Sequence, residues 1–191
     1  MKRKPAAPRK SKTRTSFLGI VRWLIVAAFL FWTFAALLLV SLRWIDPPTT
    51  VVQMQRRVQS WFHKPTYKKQ YQFVPISQIS PNLQHAVISA EDAHFYQHHG
   101  FDWDAIQKAA QDDWEGDRIR GGSTLTQQLV KNLFFGTGRS FVRKGAEATL
   151  VPVAEVVLGK QRILELYLNV VEWGPGVYGA EAASRYHYKT S

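Results

Sequence analysis

Residues Trp23 to Leu42 (WLIVAAFLFWTFAALLLVSL) run for 20 positions without a charge, bracketed by Arg22 and Arg43. As a helix rising 1.5 Å per residue, such a stretch spans a hydrocarbon core about 30 Å thick. A cleaved signal peptide would have a shorter apolar region ending in a small-x-small site, whereas this one ends at Leu42-Arg43-Trp44, so the sequence predicts a retained anchor. Ahead of it lie Lys2, Arg3, Lys4, Arg9, Lys10, Lys12 and Arg14 with no acidic residue. The positive-inside rule then puts the N-terminus in the cytoplasm and everything after Trp44 outside.

The net charge of +11 invites a nucleic-acid reading, and its distribution argues against one. Nine of the 25 basic groups and none of the 14 acids fall in residues 1–45, leaving 16 against 14, or +2, for the rest. The excess is topological, and no nucleic-acid partner is expected. The absence of cysteine fits an extracytoplasmic domain large enough to need no disulfides.

Beyond the anchor, Asp46-Pro-Pro-Thr-Thr50 stops the helix, because two prolines cannot continue it. Val51 to Phe62 has helical spacing, with Val51, Met54, Val58, Trp61 and Phe62 on one face that either packs on the domain or lies in the lipid interface. Pro75 to Pro81 reads as a loop. A helix opening at Ser80-Pro81-Asn82 runs through LQHAVISAEDAHF, with Leu83, Ala86, Val87, Ala90 and His94 as its buried side and Glu91 and Asp92 in its C-terminal half. Carboxylates there oppose the helix dipole, a local cost that function could explain. Further helices are predicted at 103–114, 124–134, 143–158, 160–171 and 180–186. Pro152 predicts a kink or interruption within the helix at 143–158, and glycines 174, 176 and 179 break the chain before the last. No strand-rich region or internal repeat is visible.

Three segments concentrate polar residues that a simple core would not need: 91–102, 120–132 and 138–147. Glu91, among apolar neighbours, is suited to proton transfer near neutral pH, although a lone Glu-Asp pair is more often an ordinary helix end. His94, His98 and His99 raise a zinc reading, which the missing HExxH and the absence of an obvious base disfavour, so no metal ligand is assigned. Ser123, Thr124, Thr126, Gln127 and Gln128 follow Gly121-Gly122 at a helix start, where amides and hydroxyls can bind an anion or Ser123 can simply cap. Lys131, Arg139, Arg143 and Lys144 lie near a second acid, Glu147. A solvated charged face is the default for such a run. Taken with the helix start, these groups could hold a diphosphate while moving a proton.

The pattern resembles the monofunctional biosynthetic peptidoglycan transglycosylases, relatives of the glycosyltransferase domain of class A penicillin-binding proteins. Five blocks occur in order over residues 50–191: Glu91-Asp92-x-x-Phe95-x-x-His98-x-Gly100, Gly122-Ser123-Thr124-x-Thr126-Gln127-Gln128, Arg143-Lys144-x-x-Glu147, Lys160-x-x-Ile163-Leu164-Glu165-x-Tyr167-Leu168-Asn169 and Gly176-x-x-Gly179-x-x-Ala182-Ala183. The resemblance implies a mainly α, lysozyme-like catalytic domain with a small jaw subdomain, preceded by one transmembrane helix. The implied division is 1–16 basic cytoplasmic tail, 17–45 transmembrane anchor, 46–80 juxtamembrane or jaw linker, and 81–191 catalytic domain. Gly159 replaces a usual serine, Pro152 interrupts a usual helix, and relatives continue for a few tens of residues past Ser191, which gives the expectation of a C-terminal truncation.

The resemblance also implies the reaction. Glu91 would deprotonate the sugar 4-hydroxyl of an incoming lipid II, which attacks the anomeric carbon of the nascent glycan strand with inversion, and undecaprenyl diphosphate leaves. Glu147 would be the second carboxylate, orienting groups or a divalent ion. Asp92, Ser123, Thr124, Gln127, Gln128, Lys131, Asn132, Arg139, Arg143 and Lys144 would serve substrate or Glu91, with no obligatory cofactor and with Mg or Mn admitted at the diphosphate. The implied location is the bacterial cytoplasmic (inner) membrane with the catalytic domain periplasmic, and cell-wall synthesis and division proteins are candidate partners. The rivals are a lysozyme-like muralytic hydrolase and a non-catalytic membrane-anchored scaffold. No Ser-x-x-Lys motif of the penicillin-binding type follows, so no transpeptidase activity is expected.

Overall fold

The uncharged stretch forms the body of helix α1 (Thr13–Ser41) in the structure, a computed structural model that describes residues 13–62, 67–115, 122–138 and 140–190. From Phe17 to Ser41 its mean hydropathy is 2.5 and only 11% of its most apolar window is buried. Trp23 and Phe29 are 73% and 67% exposed. A long helix with apolar side chains turned outward is stable only where those side chains meet lipid, which fits a single-pass membrane anchor. The chain divides into two units, Met1–Ala35 and Ala36–Ser191. The basic residues Lys2 to Lys12 lie outside the described residues.

Within the second unit, α2 (Val51–Phe62) buries Val52 and Gln53, while Met54, Val58, Trp61 and Phe62 remain exposed. Its packed face is therefore not the apolar stripe that its spacing defines. β1 (Gln70–Tyr71) follows, then a short 3-10 turn at Ile76–Gln78, α3 (Pro81–Glu91), α4 (Trp103–Glu115), α5 (Leu125–Phe134), α6 (Phe141–Val170), β2 (Glu172–Gly174), β3 (Val177–Tyr178) and α7 (Ala180–Tyr188). The unit takes in residues 46–80 along with 81–191, since β1 pairs in parallel with β3, which pairs antiparallel with β2. Strands of two or three residues leave no alternation to detect, which is why this small sheet has no local signature.

Helix α5 is the centre of the domain. Eight of its ten residues are buried, polar Thr126, Gln127 and Asn132 among them. It packs along α6, whose Leu150, Val151, Ala154, Ile163, Leu164 and Leu166 are 0–2% exposed. Burying several such side chains, at roughly 1.5–3 kcal/mol each, is what holds the two helices together.

The predicted interruption at Pro152 does not occur. Pro152 is exposed and keeps helical geometry, and the break falls at Gly159 (φ 72°, ψ 163°), which divides α6 into the two helices expected at 143–158 and 160–171. A proline ring on the outer face leaves its unpaired carbonyl partner to solvent, whereas a left-handed residue reverses the backbone course and suits glycine. The glycines of two motif blocks have a similar reason. A Cβ on Gly100 (φ 93°) would run into the Val151 side chain, and one on Gly179 (φ 84°) into the carbonyl of Asn169.

The chain leaving α1 is fastened to α6 by Arg162. Its guanidinium donates to the carbonyls of Leu42 (2.8 Å) and Ile45 (3.2 Å) and to the carboxylates of Asp46 (2.8 Å) and Glu165 (2.5 Å). A cation among the last carbonyls of a helix also meets the negative end of its dipole. Beyond it, buried Asn169 accepts from the Val74 amide (2.9 Å) and donates to the Val74 carbonyl (2.8 Å), replacing a missing strand partner.

Candidate active site

Helix α3 ends at Glu91, four residues earlier than its apolar pattern suggests. Asp92 leaves the helix with φ −161° and turns its carboxylate inward, accepting from the Leu125 amide at the start of α5 (2.9 Å) and from His98 Nε2 (2.8 Å). His98 Nδ1 accepts in turn from the Gly100 amide (3.1 Å), so the neutral Nε2–H tautomer satisfies both contacts. The Asp92 and His98 side chains are 1% and 8% exposed. Asp92 thus joins α3 to α5, and its oxygens are spent on protein groups rather than offered to a ligand. The expected buried side of α3 is also corrected. Val87 is buried, whereas Ala86, Ala90 and His94 are exposed, because α3 forms the wall of a cavity instead of packing on a partner.

That cavity measures about 500 Å³ and is bounded by the end of α3, the first turns of α4, and Gly122 to Thr124. Glu91 is exposed on its wall. Gln128 Nε2 donates to Glu91 Oε2 (2.9 Å), and Tyr167 Oη donates to Gln128 Oε1 (3.0 Å). One carboxylate oxygen is held from behind while the residue stays open to the cavity.

The residues of the second block divide by task. Thr124, not Ser123, is the N-cap of α5. Its hydroxyl accepts from the Gln127 amide, Gln127 Oε1 accepts from the Thr124 amide (3.0 Å), and the hydroxyl also donates to the Gly100 carbonyl (2.7 Å). This capping box explains Thr124 and Gln127, both nearly inaccessible at 2% and 5%. Thr126 donates to Glu155 (2.6 Å), which also takes Lys160 Nζ (2.9 Å), and that ammonium lies 4.6 Å from the centre of the Phe95 ring. Three blocks distant in sequence therefore meet in one buried cluster. Asn132 is buried, and Ser123 accepts from Lys144 Nζ (3.0 Å).

On the α6 side, Arg143 is salt-bridged to Glu147 and its Nε is buried without a hydrogen-bond partner among the described residues. Glu147 is 2% exposed. Burial pushes its carboxyl pKa up, against the opposing pull of Arg143, Lys144 and Lys131. Lys131 is pushed below the ordinary lysine value, chiefly by burial, with Glu147 acting upward, Arg143 and Lys144 downward, and Glu91 upward. The electrostatic coupling brings Glu91, Lys131, Arg143, Lys144 and Glu147 into one neighbourhood. Arg139 lies outside the described residues. His94 pairs with Asp102 (2.9 Å) and His98 with Asp92, and among the described residues no cluster of three or more His, Asp or Glu side chains could hold a metal.

A carboxylate on a cavity wall, with a partly buried cationic group in its neighbourhood, is the kind of arrangement that acid–base chemistry on a substrate releasing an anion requires. Comparisons with known proteins give the particular family. The family model described as Transglycosylase matches residues 56–191. The chain is 47% identical over 175 residues, 92% of its length, to the biosynthetic peptidoglycan transglycosylase of Pseudomonas fluorescens SBW25, covering 70% of that protein. It is 48% identical to the Pseudomonas aeruginosa PAO1 protein of the same name, over 84% of this chain and 70% of that one. The Pseudomonas syringae pv. syringae B728a protein is 45% identical over 91% and 73%. The chain belongs to the biosynthetic peptidoglycan transglycosylases, enzymes of the glycosyltransferase type.

Sequence reading missed Tyr167, Arg162 and the pairing of His98 with Asp92. Tyr167 and His98 stand inside recognisable blocks, but partners 39 and six residues away give no periodic signal.

Proposed function

We propose that this chain polymerises lipid II into glycan strands, with Glu91 as the general base and Lys131, Arg143 and Lys144 stabilising the departing undecaprenyl diphosphate. The observation that carries the reading is the open Glu91 carboxylate, steadied through one oxygen by Gln128 on a cavity wall. The attacking sugar hydroxyl occupies the cavity side, and its proton passes to the free carboxylate oxygen as the bond to the anomeric carbon forms. The diphosphate leaves toward the cations, where charge developing in the transition state is best stabilised. The anchor confines enzyme and lipid-linked substrate to one membrane and raises their effective concentration. We assign that membrane as the bacterial cytoplasmic membrane, with the N-terminus cytoplasmic and the catalytic unit outside.

Glu147, salt-bridged to Arg143 and flanked by two lysines, does not by itself fit a protein-held Mg or Mn ion.

The test uses labelled lipid II with the detergent-solubilised full chain, its products resolved by size. Lys131→Glu and Arg143→Glu should each abolish polymer formation. A muralytic hydrolase cleaves a neutral glycan and has no diphosphate to neutralise, so release of fragments from preformed strands that survives both charge reversals would replace the polymerase reading. The pH profile provides a second check. A lysine is cationic below its pKa and neutral above it, so a lowered Lys131 value makes kcat/KM fall on the alkaline side at lower pH than an ordinary lysine would. In Lys131→Arg the guanidinium keeps its charge, and the alkaline limb should move upward. An unmoved limb would remove Lys131 from the anion-binding group.

A further inference from the structure

We propose that Tyr167 is a positioning residue for Glu91, acting through the side-chain amide of Gln128. The inference rests on the reading of Glu91 as the base and adds a residue to which that reading gives no role.

Tyr167 comes from the part of α6 that follows the Gly159 break, and it is 3% exposed. Its hydroxyl makes one hydrogen bond among the described residues, donated to Gln128 Oε1 at 3.0 Å. Burial, then the nearby Glu91 charge, raises its pKa well above the ordinary tyrosine value. The hydroxyl therefore keeps its proton across the working pH range and remains a donor. Gln128 in turn presents Nε2 to Glu91 Oε2 at 2.9 Å, with a longer contact to the Ser123 carbonyl at 3.4 Å.

A glutamine amide has two nearly isosteric orientations, and its neighbours select one. In the observed orientation donor meets acceptor at both ends. Reversed, Gln128 Oε1 would face the Glu91 carboxylate and the Ser123 carbonyl, acceptors against acceptors. The Tyr167 proton thus completes a one-directional chain, Tyr167 to Gln128 to Glu91, whose last link fixes one carboxylate oxygen and leaves the other toward the cavity. The helix bearing Tyr167 is itself held in place, since Glu165 accepts from the Ile76 amide (2.7 Å) and Asn169 brackets Val74. Tyr167 can therefore act as a fixed reference for a carboxylate at an exposed helix end.

Removing the hydroxyl in Tyr167→Phe keeps the ring and its packing but leaves Gln128 Oε1 without its donor, so the amide that holds Glu91 is anchored at one end only. The expected result, with labelled lipid II as substrate and the full chain in detergent, is a fall in kcat of about tenfold, with KM changed less than about twofold and Tm essentially kept. The decisive measurement is a double-mutant cycle with Gln128→Ala, read alongside Glu91→Gln. Positioning through Gln128 requires Tyr167→Phe to cost nothing more once the amide is gone. A loss that persists undiminished in the Gln128→Ala background, or a kcat for Tyr167→Phe equal to the parent's, overturns the inference while leaving the base intact. Activity retained in Glu91→Gln instead overturns the base reading on which both rest.

Discussion

Glu91→Gln is expected to lower glycan polymerisation by about 10³-fold or more while leaving the fold in place. The side chain is exposed on the cavity wall and, among the described residues, takes its hydrogen bond from Gln128, so an amide of equal size disturbs little packing. What disappears is the capacity to take a proton. The amide's oxygen can still accept from Gln128 Nε2, and KM should change far less than kcat, because a general base, the role proposed for Glu91, acts in the transition state rather than holding the substrate. The measurement is turnover of labelled lipid II by the parent and variant at equal, confirmed Tm. A variant that polymerises within tenfold of the parent would show that the proton goes elsewhere.

Asp92→Ala is the substitution expected to cost most stability, about 3–5 kcal/mol. It leaves the Leu125 amide and His98 Nε2, both enclosed by protein, with no acceptor, and it removes the link between the end of α3 and the start of α5. At roughly 2–4 °C per kcal/mol for a chain of this size, Tm should fall by about 10 °C. Activity should fall with it, because Glu91 is the adjacent residue and depends on the same turn. Asp92→Asn keeps one acceptor oxygen for Leu125 and should cost less. Thermal denaturation followed by circular dichroism in one detergent compares the three proteins, and a Tm for Asp92→Ala within about 2 °C of the parent's would contradict the structural role.

Much of the scaffold is legible in the sequence because helices advertise themselves locally. The apolar run from Trp23 to Leu42, the spacing from Leu125 to Phe134 and the separate helices on either side of Gly159 all follow from periodicities and breakers within a few turns. The reading failed where a distant contact set the outcome. The apolar pattern of α3 continues past Glu91, yet the helix stops there because Asp92 is drawn to the N-terminus of α5, 33 residues away. Pro152 is a strong local breaker that lies on an exposed face and breaks nothing, whereas Gly159 carries the turn.

The candidate site divides in the same way. Glu91, Lys131, Arg143, Lys144 and Glu147 were legible as chemistry because charges on apolar helices are costly and invite a reason. Their motif neighbours were legible only as members of a pattern. Thr124 and Gln127 are engaged in a capping box, Asp92 in a buried junction, and Thr126 and Lys160 in holding Glu155, all tasks that resemble substrate binding when read as residue types in order.

By itself, the sequence determined the long apolar N-terminal helix, the helical class, the family and the identity of the charged groups, because each depends on composition, short-range periodicity or motif order. Only the tertiary structure decided which oxygen of Glu91 is held, that Gln128 and Tyr167 hold it, and that Asp92 faces inward. Those outcomes depend on side chains that folding brings within 3 Å from positions tens of residues apart, and no local energy term records them.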